Sequence, residues 1–497
     1  MASNTVLAVF LQKITTETGI EITTLLKENP DRYIWESVKH GCNDPIPDVI
    51  REEAGWKRPA YDNEEISEHL GLPGESWWEI VDRRKHFKNL HQALTDGTIQ
   101  TVDDCIANNL DLETLSIDLI DELNDAEKLL TCWSVLTSLK VIDPMCGSGA
   151  FLFAALKLLH NLYMAVFESA KSLKQTENKE LQAVIDLADT SPNIEYFILK
   201  HATLNNLYGV DIMQDAIEIA RLRLFLKLIA QIETREEIEP LPDLEFNIKS
   251  GNSLVGASSL EQVQAKVDLL NMHKIDEIKS TAEAVADTYR SFRRNQQTGA
   301  YQENKNTKSV LTELILKAKD QLDRWWHESE HGSEDLAAYK LRMQPFHWIV
   351  EFPDVIAAGG FDAVIGNPPY VSKKKIDYDY PEFKTATCPD IYAACLERAS
   401  TLTKSDGRLS MIVPLSLTFS KKFRPCREMI SQRFGTIFSS HYGKRPASLF
   451  SGVQIRCTIV VCTPDKGSFH STNHQIWKGS QRPNLFENLR YEVIPDS

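Results

Sequence analysis

The sequence predicts an α/β fold: a doubly wound, mostly parallel, Rossmann-like sheet with a helical N-terminal region and helical insertions. Three observations carry this reading. Short apolar runs alternate with stretches of helical periodicity, the pattern of βαβ units. One run, Leu139 to Asp143, enters the Gly-rich turn Asp143-Pro-Met-Cys-Gly-Ser-Gly149 and then a long apolar helix pattern. Another, Phe361 to Ile365, passes through Gly366 into Asn367-Pro-Pro-Tyr370.

The elements follow in order. Residues 1 to about 114 read as charged and mostly helical, with Pro/Gly/Asp-rich loops over Gly41 to Pro59 and Asp62 to Pro73. Ser116 to Trp133 carries Leu119, Ile120, Leu123, Leu129, Leu130 and Trp133 near helical spacing. Ala150 to Phe167 is almost uniformly apolar, which suits a helix packed on a sheet. A polar helical insertion is expected over about 168–199. Leu207 to Ile212 is a short strand, and Met213 to Gln231 a helix with Arg221, Arg223 and Lys227 on its wetter side. Leu244 to Leu254 gives a third strand and turn. A second charged helical insertion spans about 256–344, anchored by Trp325-Trp326. After Phe361 to Ile365 come a helix over Ile391 to Leu402 and strands at Gly407 to Pro414, Thr436 to Ser440 and Arg456 to Cys462. The main domain is therefore expected over 115–465, with 466–497 as a C-terminal extension.

Composition bounds the function. The 497 residues are 42% hydrophobic and 25% charged, as in globular proteins that bury a large core. No run approaches 18 uncharged apolar residues, so no membrane span is expected. The apolar N-terminus lacks a basic flank and reads as a helix start, not a signal peptide. Nine cysteines without Cys-x-x-Cys pairs argue against a zinc site and suit a reducing, cytoplasmic setting. The histidines show no metal spacing either. The net charge of −15 is unevenly spread: from Val371 onward there are 19 Lys and Arg against 11 Asp and Glu. A basic C-terminal part is what phosphate contacts need.

The first turn suits a nucleotide-like cofactor. Gly147 and Gly149 permit a tight turn and close backbone approach. Asp143 repels phosphate but suits a positive amino group, such as that of the methionine moiety of S-adenosylmethionine. The dinucleotide pattern Gly-x-Gly-x-x-Gly is absent, which disfavours NAD and FAD. Asp211, ending the next strand, fits ribose hydroxyls. Asn252, after the third strand, fits the edge of an adenine.

The second turn suits a planar amine. An exocyclic amine on a purine is conjugated and weakly nucleophilic. The Asn367 side-chain oxygen and the Pro368 carbonyl, accepting its two hydrogens, draw the nitrogen toward tetrahedral geometry and free its lone pair. Pro368 and Pro369 fix the backbone direction, and Tyr370 stacks on a flipped base. Catalysis is then positioning and electrostatics, with no covalent intermediate.

With these residues in hand, the chain resembles the γ-class N6-adenine DNA methyltransferases of restriction–modification and phage-defence systems. The likeness runs through Asp143 to Gly149, Tyr208 to Met213, Gly251 to Gly256, Asn367 to Tyr370, Gly407 to Pro414 and Arg445 to Phe450. It implies methylation of the adenine N6 amino group in double-stranded DNA, with S-adenosylmethionine as donor. It implies a cofactor pocket of Asp143, Pro144, Cys146, Gly147, Gly149, Phe151, Asp211, Ile212, Asn252 and Ser253, bordered by Asn367. It implies that Asp390 and Tyr392 sit near the catalytic cleft. Two features depart from the pattern. The upstream Phe/Tyr-Thr-Pro motif is missing, and about 35 residues after Cys462 leave no room for a target-recognition domain. Either a partner subunit reads the sequence, or the chain is a split or shortened member of the family. No nuclease constellation is visible, so cleavage is not expected.

Cys146 reads as a small packing residue, and Pro425-Cys426 as misplaced for a cytosine-ring nucleophile. Lys373, Lys374, Lys375, Lys421, Lys422 and Arg424 are candidates for DNA phosphates, with solvated loops as the alternative. Alternative functions are an RNA guanine-N2 methyltransferase, which normally brings an RNA-binding domain, and a cofactor-binding, non-catalytic subunit of a defence complex.

Overall fold

A nine-stranded sheet organises the chain. The computed structural model describes residues 1–46, 68–173, 178–234, 240–266, 272–297, 301–330, 332–450 and 454–495. The loops expected over Gly41 to Pro59 and Asp62 to Pro73 therefore lie largely outside the described residues.

The strands are β1 (Val141–Asp143), β2 (Leu207–Asp211), β3 (Ile248–Ser250), β4 (Phe361–Gly366), β5 (Thr403–Pro414), β6 (Thr436–Tyr442), β7 (Cys457–Thr463), β8 (Phe469–Gln475) and β9 (Tyr491–Ile494). Their spatial order is β3-β2-β1-β4-β5-β7-β6-β8-β9. β1 to β5 pair in parallel, β7 runs antiparallel to β5 and β6, and β8 lies parallel to β6. The winding reverses between β1 and β4, which pair Ile142 with Val364. In doubly wound sheets the crevice beyond such a reversal is where ligands bind.

The central strands are apolar on both faces because helices cover both. Alternate residues diverge: Ala363 and Ile365 join one core, and Val364 between them joins the other. One face packs the Ala150–Ser172 helix together with N-terminal helices, so a single core runs from Val6 to Leu489. The other face packs the Tyr392–Leu402 and Arg424–Arg433 helices. The Ala150–Ser172 helix is long and apolar enough to span a membrane, but 11 of its residues are buried inside the protein.

Several elements differ from expectation. Ser116 to Trp133 is two helices, Leu112–Asp121 and Ala126–Ser138, and Asp125 caps the second by accepting the Glu127 N–H at 2.7 Å. The insertion expected over 168–199 is polar only in part. Its last segment leads into the Ile194–Asn206 helix, buried from Tyr196 onward and packed under the sheet. The Gln214–Ile229 helix shows solvent Ile219, Leu222, Leu226 and Ile229, while Arg221 turns inward and donates to the Ile248 carbonyl at 2.8 Å. The second insertion is a helical hairpin, Met272–Gln297 and Tyr301–Glu330, with its own core around Phe292, Leu311 and Trp326. Residues 466–497 add β8 and β9 to the sheet edge instead of trailing from it.

Candidate active site

The Gly-rich turn leaves β1 and starts the Ala150–Ser172 helix. Gly147 and Gly149 both have positive φ, 50° and 83°, which only glycine adopts without strain. A side chain on Gly149 would also meet Ala220 at 3.3 Å, so this helix start packs close against the Gln214–Ile229 helix. Arg223 holds the turn from outside. It donates to the Ser148 carbonyl at 2.7 Å and lies over the Phe153 ring.

Asp143 is wholly buried at the base of this turn. Its Oδ1 accepts the Met145 N–H at 3.1 Å, but its Oδ2 has no partner among the described residues. Burial pushes its carboxyl up to about 8, opposed by the Met145 hydrogen bond and reinforced by nearby Asp211. A buried carboxyl with a bare oxygen is incomplete without a cationic donor. Asn252, after β3, is the complementary case. Its Oδ1 accepts the Leu254 N–H at 3.1 Å, while its buried Nδ2 has no partner among the described residues. One orphan acceptor and one orphan donor fit a ligand carrying an ammonium group and a heterocyclic acceptor.

Asp211 braces the turn. Its Oδ2 accepts the Gly147 N–H at 2.8 Å and its Oδ1 the Met213 N–H at 2.9 Å. Each oxygen keeps lone-pair capacity for a hydroxyl donor. Cys146 is buried, and desolvation pushes its thiol well above the usual range, so it stays a protonated packing group. Pro144 and Ser253 are buried, Phe151 is half-buried, and Ile212 reaches the surface beside them.

The Asn367-Pro-Pro-Tyr370 turn leaves β4, the strand beside β1. Gly366 makes the meeting of the two turns possible: a Cβ there would sit 2.9 Å from Asp143 Oδ1. Asn367 and Tyr370 are half-buried, Pro368 is buried and Pro369 exposed. The Tyr370 hydroxyl lies 2.7 Å from Asn367 Oδ1 and 2.9 Å from the Ile412 carbonyl of β5. It has one proton to give. If that proton goes to Ile412, a half-turn of the Asn367 amide lets its N–H donate to the phenol oxygen and turns Oδ1 outward. Burial pushes the Tyr370 phenol far up, so it remains a neutral donor.

Tyr392 backs this turn. Its ring meets Tyr370 edge-on at 6.4 Å and stacks on Phe423 at 4.8 Å, and its hydroxyl bonds Ser416 at 3.1 Å. Asp390 lies alongside through the Ser372–Asp390 bridge, its carboxyl raised by burial.

The candidate phosphate-binding residues divide. Lys373 is half-buried and held by the protein: it donates to the Ala386 carbonyl at 3.0 Å and covers the Tyr380 ring. Arg424 pairs with Glu428 at 2.7 Å. Lys374, Lys375, Lys421 and Lys422 are exposed. Cys426 is buried with its thiol pushed up by desolvation, unsuited to nucleophilic attack.

Sequence reasoning missed Gly366, Arg223 and the segment Gln344 to His347. That segment walls the third turn: the Asn252 N–H donates to the Gln344 carbonyl at 2.8 Å, and Phe346 packs on Gly251. Only the glycine carried a readable signal, by standing directly before Asn367.

Residues 205–444 match the Eco57I restriction-modification methylase family. A Methanocaldococcus jannaschii protein named as a type II restriction enzyme and methyltransferase is 25% identical over 422 residues, covering 72% of this chain and 33% of that protein. The adenine-specific methyltransferase BrxX of Escherichia coli O9:H4 is 23% identical over 353 residues, covering 67% of this chain and 26% of that protein. The chain thus spans about a third or less of these relatives' lengths. Among solved structures, a nuclease-deletion mutant of the Type ISP restriction-modification enzyme LlaGI with a DNA substrate mimic is 12% identical. The alignment covers 98% of this chain and 37% of that one, with a TM-score of 0.39. The M protein of the Type I restriction enzyme EcoKI is 12% identical, covering 97% and 76%, with a TM-score of 0.33. The residues similar to that family run from the end of the helix before β2, past Asn367–Tyr370, to the loop after β6.

Proposed function

We propose that this chain transfers a methyl group from S-adenosylmethionine to the N6 amino group of adenine in DNA, within a restriction–modification or phage-defence system. The observation that carries the reading is the contact between the two turns: Gly366, the residue before Asn367, lies against the orphaned carboxyl of Asp143. A donor seated on Asp143 and an amine held by Asn367 then share one crevice at the winding reversal. The BrxX name, an adenine-specific methyltransferase, supports the choice of base.

The chain's own residues divide the work. Asp143 accepts the ammonium of the donor's methionine part, Asn252 Nδ2 donates to the adenine edge, and Asp211 takes ribose hydroxyls. Pro144, Cys146, Gly147, Gly149, Phe151, Ile212 and Ser253 shape the pocket. The bound donor supplies an electrophilic methyl. Asn367 Oδ1 and the Pro368 carbonyl accept the two N6 hydrogens. With the donor bound, the N6 held by Asn367 and Pro368 would take the methyl from the donor's sulfonium and give up its extra proton to water. Tyr370 anchors the Asn367 amide through its hydroxyl and offers its ring to the flipped base. Lys374, Lys375, Lys421 and Lys422 seat the flanking phosphates.

The test is transfer of labelled methyl groups to DNA, RNA and protein in parallel, with long-read modification mapping of DNA from cells with and without the chain. N6-methyladenine at a defined site supports the reading. Label on RNA alone, or donor binding without transfer in any subunit combination, ends it.

A further inference from the structure

Phe419 stands out among the exposed aromatic side chains. It is 71% exposed, and the sequence reading assigned it nothing. It closes the one-turn helix Ser416–Phe419 that follows β5, beyond the carboxyl ends of the strands, where Asn367 also lies. Two contacts connect it to the catalytic turn: Tyr370 against Tyr392, and Tyr392 hydroxyl to Ser416.

The segment that presents Phe419 is held firmly. Leu417 is buried beneath it. Arg427 donates to the Leu417 carbonyl at 2.7 Å and to the Ser420 carbonyl at 2.8 Å, gripping both sides of Phe419. Thr418 bonds back to the Leu415 carbonyl, and the Leu415 N–H donates to the Arg456 carbonyl across to the start of β7. A large ring is thus carried into water by a braced turn. Next to it stand Lys421 and Lys422, both exposed, with Lys422 near enough to Asp390 to act on its carboxyl. Cations beside a rigid exposed ring suit a partner that offers phosphates and a flat apolar surface together, which is duplex DNA.

Flipping an adenine leaves a gap in the stack, and its closure by an apolar side chain offsets part of the unstacking cost. Tyr392 and Phe423 are already packed on each other behind the turn, whereas Phe419 points outward at the rim. We propose that Phe419 is a wedge that enters the duplex and fills the space left by the flipped adenine, with Lys421 and Lys422 on the adjoining phosphates. The proposal rests on the reading of the chain as an adenine methylase and names how it opens its substrate.

The test compares the full protein, with any subunit needed for activity, against Phe419→Ala and Phe419→Leu. Three oligonucleotides carry the mapped site: a paired duplex, a duplex with an abasic position opposite the target adenine, and a single strand. Phe419→Ala should lower kcat/KM on the paired duplex about 10-fold or more, and less than about 2-fold on the other two, where little stacking is lost. Phe419→Leu should lie between. Equal loss on all three substrates overturns the wedge and assigns the ring to stacking on the flipped base. No loss on any overturns it in favour of a protein-facing role. If the unaltered protein transfers to no DNA, the methylase reading and the wedge fall together.

Discussion

The two turns that meet at the winding reversal satisfy their polar atoms in opposite ways. In the Gly-rich half, Asp143 Oδ2 and Asn252 Nδ2 are buried with no partner. In the Asn-Pro-Pro-Tyr half, the Asn367 amide and Tyr370 hydroxyl bond each other, and the hydroxyl also reaches Ile412. The first half bears a standing desolvation cost that a ligand removes. The second is complete on its own and exposes an acceptor by turning one amide. Binding should therefore depend on the first half and rate on the second.

The largest expected effect follows from Asn367. Asn367→Ala should slow methyl transfer by roughly 10²–10³-fold, the usual cost of one lost electrostatic contact at a reacting centre. Donor affinity by calorimetry should stay within a few-fold. A parallel collapse of both would merge the two halves into one unit.

Next comes Asp143. Asp143→Asn should weaken donor binding roughly 10- to 100-fold, the worth of a charge-assisted hydrogen bond. It should raise the melting temperature of the free protein above neutral pH. The sign follows from the raised carboxyl: between its ordinary value and about 8, the folded protein keeps a proton the unfolded chain has lost. Stability therefore falls as pH rises through that window, by up to about 1.4 kcal/mol per unit, and the amide escapes this. A lower melting temperature for Asp143→Asn at pH 8 would contradict the account.

The same group sets a pH slope. An ammonium ligand needs the ionised carboxylate, so donor binding releases a proton below about pH 8. Affinity should rise by up to about 10-fold per pH unit from 6 toward 8, where the donor's own ammonium begins to lose its proton and the gain ends. Asp143→Asn should flatten that slope.

The smallest effect belongs to Tyr370→Phe. It keeps the ring and removes the hydroxyl that meets Asn367 and Ile412, so transfer should slow by about 5-fold, while Tyr370→Ala, which also removes the ring, should cost more. Equal losses for both would assign the whole role to the hydroxyl.

All seven strands predicted from alternating and continuous apolar runs are present, because such runs report local preference and burial directly. The two turns were legible for the same reason: a positive φ demands glycine and a fixed φ demands proline, whatever lies around them. β8 and β9 were missed because their faces are largely exposed, so little hydrophobic signal marks them. The Ile194–Asn206 helix was misread because it buries polar residues: Asn206 bonds the Leu136 and Leu139 carbonyls from inside the core. Arg221 and Lys373 looked like surface charges and proved to be braces, since long side chains reach buried carbonyls that sequence does not reveal.

The sequence by itself determined the kinds of element, the two special turns and the residue types each offers to a ligand. These follow from backbone sterics and side-chain chemistry, which act over a few residues. Only the tertiary structure decided that Asp143 and Gly366 touch, that two buried polar atoms lack partners, and that Phe419 stands braced in water. Those facts depend on which strands pair across more than two hundred residues, and strand pairing is set by the shared core rather than by any local pattern.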